Sequence, residues 1–218
     1  MQVNLAISLL LSVFLATGSH AQAGFKVTDG DTISNGETIY RLNGIDAPEA
    51  GQTCLDKRGK KWPCGQAARA HLESLLSTGS VRCEGKETDG YGRTIATCLL
   101  GGVDIGQDLV AVGLAWAFVR YDDVYADDEA QARAKKIGVW SAPNQPPWDY
   151  RADKWRVAEQ TAPAGCPIKG NISKNGRIYH APWSPWYGRT KISTEKGERW
   201  FCSEAEAVAA GWRAPIWE

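Results

Sequence analysis

Residues 41–49 read RLNGIDAPE, and they combine a strand pattern with two carboxylates that follow it closely. The apolar residues Leu42 and Ile45 predict a strand that delivers Asp46 at its end. Pro48 restricts the backbone after that strand, so we expect Glu49 to lie in an exposed loop. The stretch therefore predicts charged side chains held at the edge of a sheet.

Two shorter motifs flank this stretch. Residues 29–32 read DGDT and place two carboxylates around a glycine at a strand junction, and residues 89–93 read DGYGR, with an arginine just past a predicted hairpin turn. Asp-Gly is common in ordinary turns, so each motif alone is also explained as surface charge near a turn.

The pattern around these motifs alternates strands and helices. Asn35-Gly36 between β-branched runs is a strong hairpin signal. Apolar residues recur at helical spacing over 65–76. Strands are predicted at 25–28, 32–34, 38–45, 80–86 and 94–100, and helices at 65–76, 104–112 and 127–137.

The motifs DGDT, RLNGIDAPE and TDGYGR, in this order and at these spacings, resemble the staphylococcal nuclease (thermonuclease) family over roughly residues 25–141. The resemblance implies a mainly β fold with α, a five-stranded OB-type barrel with three helices. It also implies a phosphodiesterase that hydrolyses DNA or RNA and leaves 3′-phosphates. The alternative is a noncatalytic barrel that keeps the shape and binds nucleic acid or the cell envelope.

The resemblance also assigns a metal site. It implies that Asp31 and Asp46 supply carboxylate oxygens to a Ca²⁺ ion and that Ala47 supplies its backbone carbonyl. Oxygen donors are what Ca²⁺ prefers, and water and a substrate phosphate would complete the set.

Three further side chains are implied to be catalytic. Glu49 would position or deprotonate the attacking water, and Arg41 and Arg93 would hold the phosphate and offset its growing charge. One position departs from the family, because Val119 stands where a tyrosine is common, although Tyr121 follows it closely. The basic loop between Cys54 and Cys64 is expected either to contact flanking phosphates or to be a solvated surface.

The overall charge excludes a uniformly basic nucleic-acid coat. The chain has 25 Lys plus Arg against 25 Asp plus Glu, a net charge of zero. Acidic side chains outnumber basic ones over residues 24–150, and the reverse holds over 166–218. Any site for a polyanion is therefore expected to be local.

The N-terminus predicts export. Residues 5–16 are an apolar run shorter than the roughly 20 residues of a spanning helix, and Ala21-Gln22-Ala23 fits a signal-peptidase site. We expect processing after about residue 23 and release to the periplasm or the medium, with no stable membrane insertion. The processed protein is expected to be monomeric.

The cysteine spacing predicts disulfides. All six cysteines follow the export segment, as is usual in oxidising compartments. Cys83 and Cys98 would face each other across a hairpin, Cys54 and Cys64 would close the basic loop, and Cys166 would pair with Cys202. A zinc site is disfavoured because no CxxC pair is present.

The chain divides into four predicted parts. These are the signal peptide (1–23), a nuclease-like domain (24–141), a Pro-containing linker (142–165) with room for a short helix at 150–159, and a small α+β module (166–218) stapled by one disulfide. The last part resembles a module that follows nuclease domains in some exported bacterial proteins. Its aromatic residues Trp183, Trp186 and Tyr187 would bind nucleic acid or a glycan, or would build a small core.

Overall fold

The strands form where apolar and β-branched residues alternate between turns. The structure, a computed structural model, describes residues 24–215, so the predicted export signal lies outside the described residues. The strands are β1 (Lys26–Asp29), β2 (Thr32–Ser34), β3 (Ile39–Leu42), β4 (Ile45–Asp46), β5 (Cys54–Leu55), β6 (Lys61–Trp62), β7 (Val81–Glu84), β8 (Thr94–Leu100), β9 (Val103–Asp104), β10 (Trp116–Ala117), β11 (Ile168–Ser173), β12 (Gly176–His180) and β13 (Arg199–Phe201).

The main sheet is mixed and has the order β1-β2-β3-β8-β7, with β9 paired to β8. The first three strands run antiparallel, β3 pairs with β8 in parallel, and β7 pairs with β8 antiparallel. The parallel pair brings β8 and the hairpin before it next to the strand that carries Arg41. A separate two-stranded sheet pairs Asp46 of β4 with Trp116 of β10.

Helices lie close to their predicted positions. They are α1 (Cys64–Leu76), α2 (Ile105–Ala111), α3 (Ala126–Ala134), α4 (Pro147–Glu159) and α5 (Glu204–Ala209). The buried face of α1 includes Ala68 and Leu72, which pack on the sheet together with Ile33 and Leu42. Asp104 caps α2 by accepting from two backbone amides, as expected of an aspartate at a helix start.

The C-terminal part is a second small unit of strands and a helix. Its sheet has the order β12-β11-β13, and its core includes Ile168, Phe201 and Trp212. Ser203 caps α5 by accepting from the amide of Glu206, as serine often does at a helix start. Part of the aromatic content of this segment therefore builds a core.

The segment between the two units contains helix α4. Proline at its first turn suits a helix start, because the missing N–H would have had no partner there. Just before α4, Asn144 accepts from the amide of Leu55 (2.6 Å) and donates to the carbonyls of Leu55 (3.0 Å) and Val139 (2.9 Å). This part of the chain is therefore tied to the nuclease-like part by side-chain hydrogen bonds.

All three predicted disulfides are present, joining Cys54 to Cys64, Cys83 to Cys98, and Cys166 to Cys202. Between residues 24 and 215, none of the helices combines the length and apolar character needed to cross a membrane. The mixed sheet, the helices and the disulfides fit the fold that the resemblance implies. Closure of the sheet into a barrel stays a prediction.

Candidate active site

Asp31 lies buried at the junction of β1 and β2, and its carboxylate contacts Ala47, Arg41 and Thr32. Its Oδ2 accepts from the backbone amide of Ala47 (2.9 Å) and lies 2.7 Å from Nη1 of Arg41, and its Oδ1 accepts from the Thr32 hydroxyl (3.0 Å). The β2–β3 register places Thr32 opposite Arg41, which explains why Arg41 reaches this carboxylate. Two of the predicted site residues are thus brought together with Ala47.

Arg41 also contacts Asp46. Its Nη2 donates to Oδ1 of Asp46 at 3.0 Å, so one guanidinium bridges the carboxylates of Asp31 and Asp46. Asp46 is fully buried at the end of β4. One guanidinium therefore holds the two carboxylates next to each other.

Asp29 and Asp31, the two carboxylates of the DGDT motif, differ in their pKa values. Burial works to raise the pKa of Asp31, but the Arg41 guanidinium and hydrogen bonds from Asp29 and Ala47 outweigh it and leave that pKa below its usual value. Burial, with the negative charge of Asp31, raises the pKa of Asp29 to about 7. Asp31 is therefore the better anionic ligand of the pair.

Glu49 follows β4 and turns toward the same place. Its Oε1 lies 2.7 Å from Nη1 of Arg151, and its backbone amide donates to the side-chain oxygen of Gln52 (3.1 Å). Burial raises the pKa of Glu49 to about 8, and the positive charge of Arg151 acts against that rise. The first turn of α1 packs closely against this loop. A Cβ on Gly65 would overlap the Glu49 carbonyl, so only glycine fits at this position.

Arg93 lies just after the hairpin between β7 and β8. Its Nε and Nη2 each lie 2.8 Å from Oδ2 of Asp89, and its guanidinium is 5.1 Å from the centre of the Tyr91 ring. Its positive charge lowers the pKa of Asp29 and Asp31, although burial and Arg41 have larger effects on Asp31. The predicted arginine therefore lies near the two carboxylates.

One cavity of about 1040 Å³ joins these groups. The predicted residues that line it are Asp31, Arg41, Asp46, Ala47, Glu49 and Arg93. Its other wall comes from α4 and from the C-terminal unit, which contribute Trp155, Trp183 and Trp212 among others. The cavity is therefore a cleft between the two parts of the chain.

The donors at the base of the cleft suit a hard divalent cation. Asp31 and Asp46 offer carboxylate oxygens, and Ala47 lies next to them through its amide contact to Asp31. Over residues 24–215, three or more His, Cys, Asp or Glu side chains are nowhere grouped as a metal site. A cation here would thus need ligands from the backbone, solvent or substrate in addition to the two carboxylates.

The sequence reasoning missed Arg151. This residue of α4 contacts both Asp46 and Glu49, more than 100 positions away along the chain. A lone arginine in a polar helix has no local signature of such a contact.

The other residues expected to contact nucleic acid lie mostly at the surface. Val119 and Tyr121 are both exposed, and Tyr121 lines the cleft and packs against Phe118 with ring centres 4.9 Å apart. The basic loop forms the hairpin of β5 and β6, with its lysines exposed. Trp183 and Trp186 are half-buried.

The nuclease-like part of the chain matches a family model described as Staphylococcal nuclease homologue over residues 39–142. A second model, described as ArfC, matches residues 151–214.

Curated relatives are similar over the same part of the chain. A micrococcal nuclease of Shigella flexneri is 36% identical over 155 residues, which are 63% of this chain and 80% of that protein. An uncharacterized endonuclease of Haemophilus influenzae is 33% identical, with 62% of this chain and 72% of the relative covered. The succinoglycan biosynthesis protein ExoI of Rhizobium meliloti is 37% identical over 121 residues, which are 53% of this chain and 62% of ExoI, slightly under two thirds of its length.

Proposed function

Since this chain belongs to the staphylococcal nuclease family, we propose that it is an exported nuclease that hydrolyses phosphodiester bonds of DNA or RNA with Ca²⁺. The observation that carries the proposal is the bridge of Arg41 between Asp31 and Asp46, in a cleft that Glu49 and Arg93 also line. Two anionic ligands for a cation, a base for water and two guanidiniums are groups that can together promote phosphodiester hydrolysis.

Asp31, Asp46 and the carbonyl of Ala47 would hold the cation. When bound, Ca²⁺ supplies positive charge that brings the anionic phosphate and the nucleophile together. The contact of Arg41 with both carboxylates supports this assignment, because it holds them at one place in the cleft.

Glu49 would accept a proton from the attacking water. The water oxygen would form a bond to phosphorus, the bond from phosphorus to the 5′-oxygen would break, and that oxygen would take up a proton from solvent, leaving a 3′-phosphate. Arg41 and Arg93 would bind the phosphate oxygens, since their planar donors match oxygen pairs as charge grows there. Arg93 retains about a quarter of its side-chain surface exposed, at 26%, which supports access to substrate.

Export to the periplasm or the medium is part of the proposal. Three disulfides support an oxidising compartment. N-terminal sequencing of the secreted protein would test it, with processing expected near residue 23.

The direct test is incubation of the purified protein with single-stranded DNA and with RNA, in Ca²⁺ or in chelator. We expect cleavage only with Ca²⁺, and products that resist 3′-extension by a polymerase until a phosphatase removes the terminal phosphate. An absence of Ca²⁺-dependent cleavage between about pH 7 and 9.5 would remove the proposal.

Two substitutions test the assigned roles. Glu49→Gln and Arg93→Ala should each lower kcat by about a hundredfold or more, because each removes a group that acts on the reacting atoms. Glu37→Gln and Arg82→Ala are matched controls at exposed positions and should keep activity. Circular dichroism should show the same fold for all four, and full activity of E49Q or R93A would contradict the roles.

A second candidate is a role at the cell envelope, because one relative is named a succinoglycan biosynthesis protein. This role would use the cleft or its tryptophans to bind polysaccharide without cleaving nucleic acid. Binding of an acidic exopolysaccharide by a protein that fails the nuclease test would favour it.

A further inference from the structure

Arg151 reaches the candidate active site from outside the part of the chain that matches the nuclease family. The nuclease match ends at residue 142, and Arg151 lies in α4, at the first residue of the second match. None of the roles assigned above includes this residue.

The contact of Arg151 occupies the carboxylate of Asp46. Its Nη2 lies 2.7 Å from Oδ2 of Asp46, and its Nη1 lies 3.1 Å from Oδ1 and 2.7 Å from Oε1 of Glu49. Arg41 donates to the same Oδ1 at 3.0 Å. Both oxygens of Asp46 therefore accept hydrogen bonds from guanidiniums.

Helix α4 holds Arg151 at this place through contacts of its own. Gln52, in the loop after Glu49, donates to the carbonyl of Gln145 at 2.7 Å. Trp148 stacks on Phe118 with ring centres 5.4 Å apart and planes at 19°. The start of the helix is thus fixed independently of the Arg151 side chain, which can leave Asp46 without moving the helix.

A guanidinium and a divalent cation compete for the oxygens of Asp46, because Oδ1 already accepts from two guanidiniums and Oδ2 from one. Two positive charges a few ångströms apart repel, and the repulsion is strong where solvent is excluded. Asp46 has 1% of its side-chain surface exposed, so solvent screens this pair little. A cation that binds an Asp46 oxygen is therefore opposed by the positive charge of the arginines already in contact with it.

We propose that Arg151 is a positioning residue of the active site that competes with the divalent cation for Asp46. This inference rests on the proposed function, because it takes Asp46 as a ligand of the cation. Arg151 lowers the affinity for the ion and holds Asp46 and Glu49 in place until the ion binds. Through Arg151, the C-terminal part of the chain thereby sets the Ca²⁺ concentration at which the nuclease-like part binds the ion.

The test is calorimetric titration of the full processed chain with Ca²⁺, without nucleic acid, after removal of metal with chelator. Arg151→Gln should bind Ca²⁺ about tenfold more tightly than the unsubstituted protein, since it removes a charged competitor. Arg151→Lys keeps the charge but not the two-pronged contact, so its affinity should lie between the two. Arg156→Gln, on the same helix but exposed and paired with Asp153, should leave the affinity unchanged.

The outcomes separate this inference from the proposed function. If the unsubstituted protein binds Ca²⁺ and cleaves DNA, but R151Q and R151K bind the ion no more tightly, the competition is wrong and the nuclease proposal stands. If R151Q does not fold, R151K decides the question alone. If none of the proteins binds Ca²⁺, both the metal site and the competition are overturned.

Discussion

At the scale of single residues, the site depends on the way in which charges share partners. Arg41 forms ion pairs with Asp31 and Asp46, and Asp46 also forms an ion pair with Arg151. Removing Arg41 would leave the buried carboxylate of Asp31 without this partner, which costs more than the lost contact itself, whereas Asp46 would keep Arg151. The short sequence motifs predicted Asp31, Arg41 and Asp46, because strand pairing brings together residues that are close along the chain.

Gly30 provides a test of packing beneath this site. A Cβ on Gly30 would lie 2.7 Å from that of Ala47 and 2.8 Å from that of Ala68. Gly30→Ala should therefore lower the free energy of unfolding by about 1–3 kcal/mol, as overpacking of a core usually does. Gly90→Ala, in the second Asp-Gly motif, meets nothing within 4 Å and should have little effect. Urea denaturation of both variants would check this, and equal stabilities would contradict it.

At the scale of elements, local pattern predicted the strands and helices well where turns bound them. The strand at 94–100 was predicted with the bounds of β8, and the helix at 65–76 differs from α1 by one residue. Helix α4 begins three residues before the short helix predicted at 150–159. The prediction treated the prolines as a linker signal, but Pro147 is the first residue of the helix, a position that suits proline. Its contact through Arg151 depends on tertiary packing, which periodicity does not report.

The hairpin of β11 and β12 carries a buried histidine that makes stability depend on pH. Burial, helped by the positive charge of Lys169, lowers the pKa of His180 from 6.5 to about 4. As pH falls from about 6.5 to 4, the unfolded chain takes up this proton and the folded one does not, so stability falls. The loss should reach about 3 kcal/mol at pH 4 and be absent above pH 7.

His180→Asn should remove this part of the pH dependence. The measurement is the urea midpoint of the C-terminal unit, followed by tryptophan fluorescence at pH 7 and pH 4.5. In the unsubstituted protein, Nε2 of His180 lies 3.1 Å from Oδ1 of Asn171, an interaction compatible with the neutral ring. An identical fall in stability for H180N would show that other groups cause it.

At the scale of the whole molecule, the cleft belongs to both parts of the chain. The predicted division at residues 142–165 describes composition, whereas the structure ties this segment back to β5 and to the loop after Glu49. The sequence could not reveal these ties, since each joins residues about 90 or more positions apart.

Asn144 offers a test of that connection. Its amide nitrogen donates to the carbonyls of Leu55 and Val139, with a longer contact to that of Ala142 (3.4 Å), and its oxygen accepts from the amide of Leu55. Asn144→Asp would place a second acceptor against the carbonyls of Leu55 and Val139, and should cost about 1–3 kcal/mol of unfolding free energy. Asn175→Asp, in the exposed turn between β11 and β12, is the matched control and should change little. Hydrogen exchange of α4 should speed up in N144D alone; unchanged exchange would contradict the link.

The same amide is a point at which chemical damage would change the structure. Asparagine is one of the thermolabile residues, because its side-chain amide can be lost to leave a carboxylate. At Asn144 this reaction would exchange a donor for an acceptor at the point where the two parts of the chain are fastened together. Protein damaged in this way would keep its sheet and its disulfides, but the segment that leads into α4 and Arg151 would lose two of the hydrogen bonds that tie it to Leu55 and Val139.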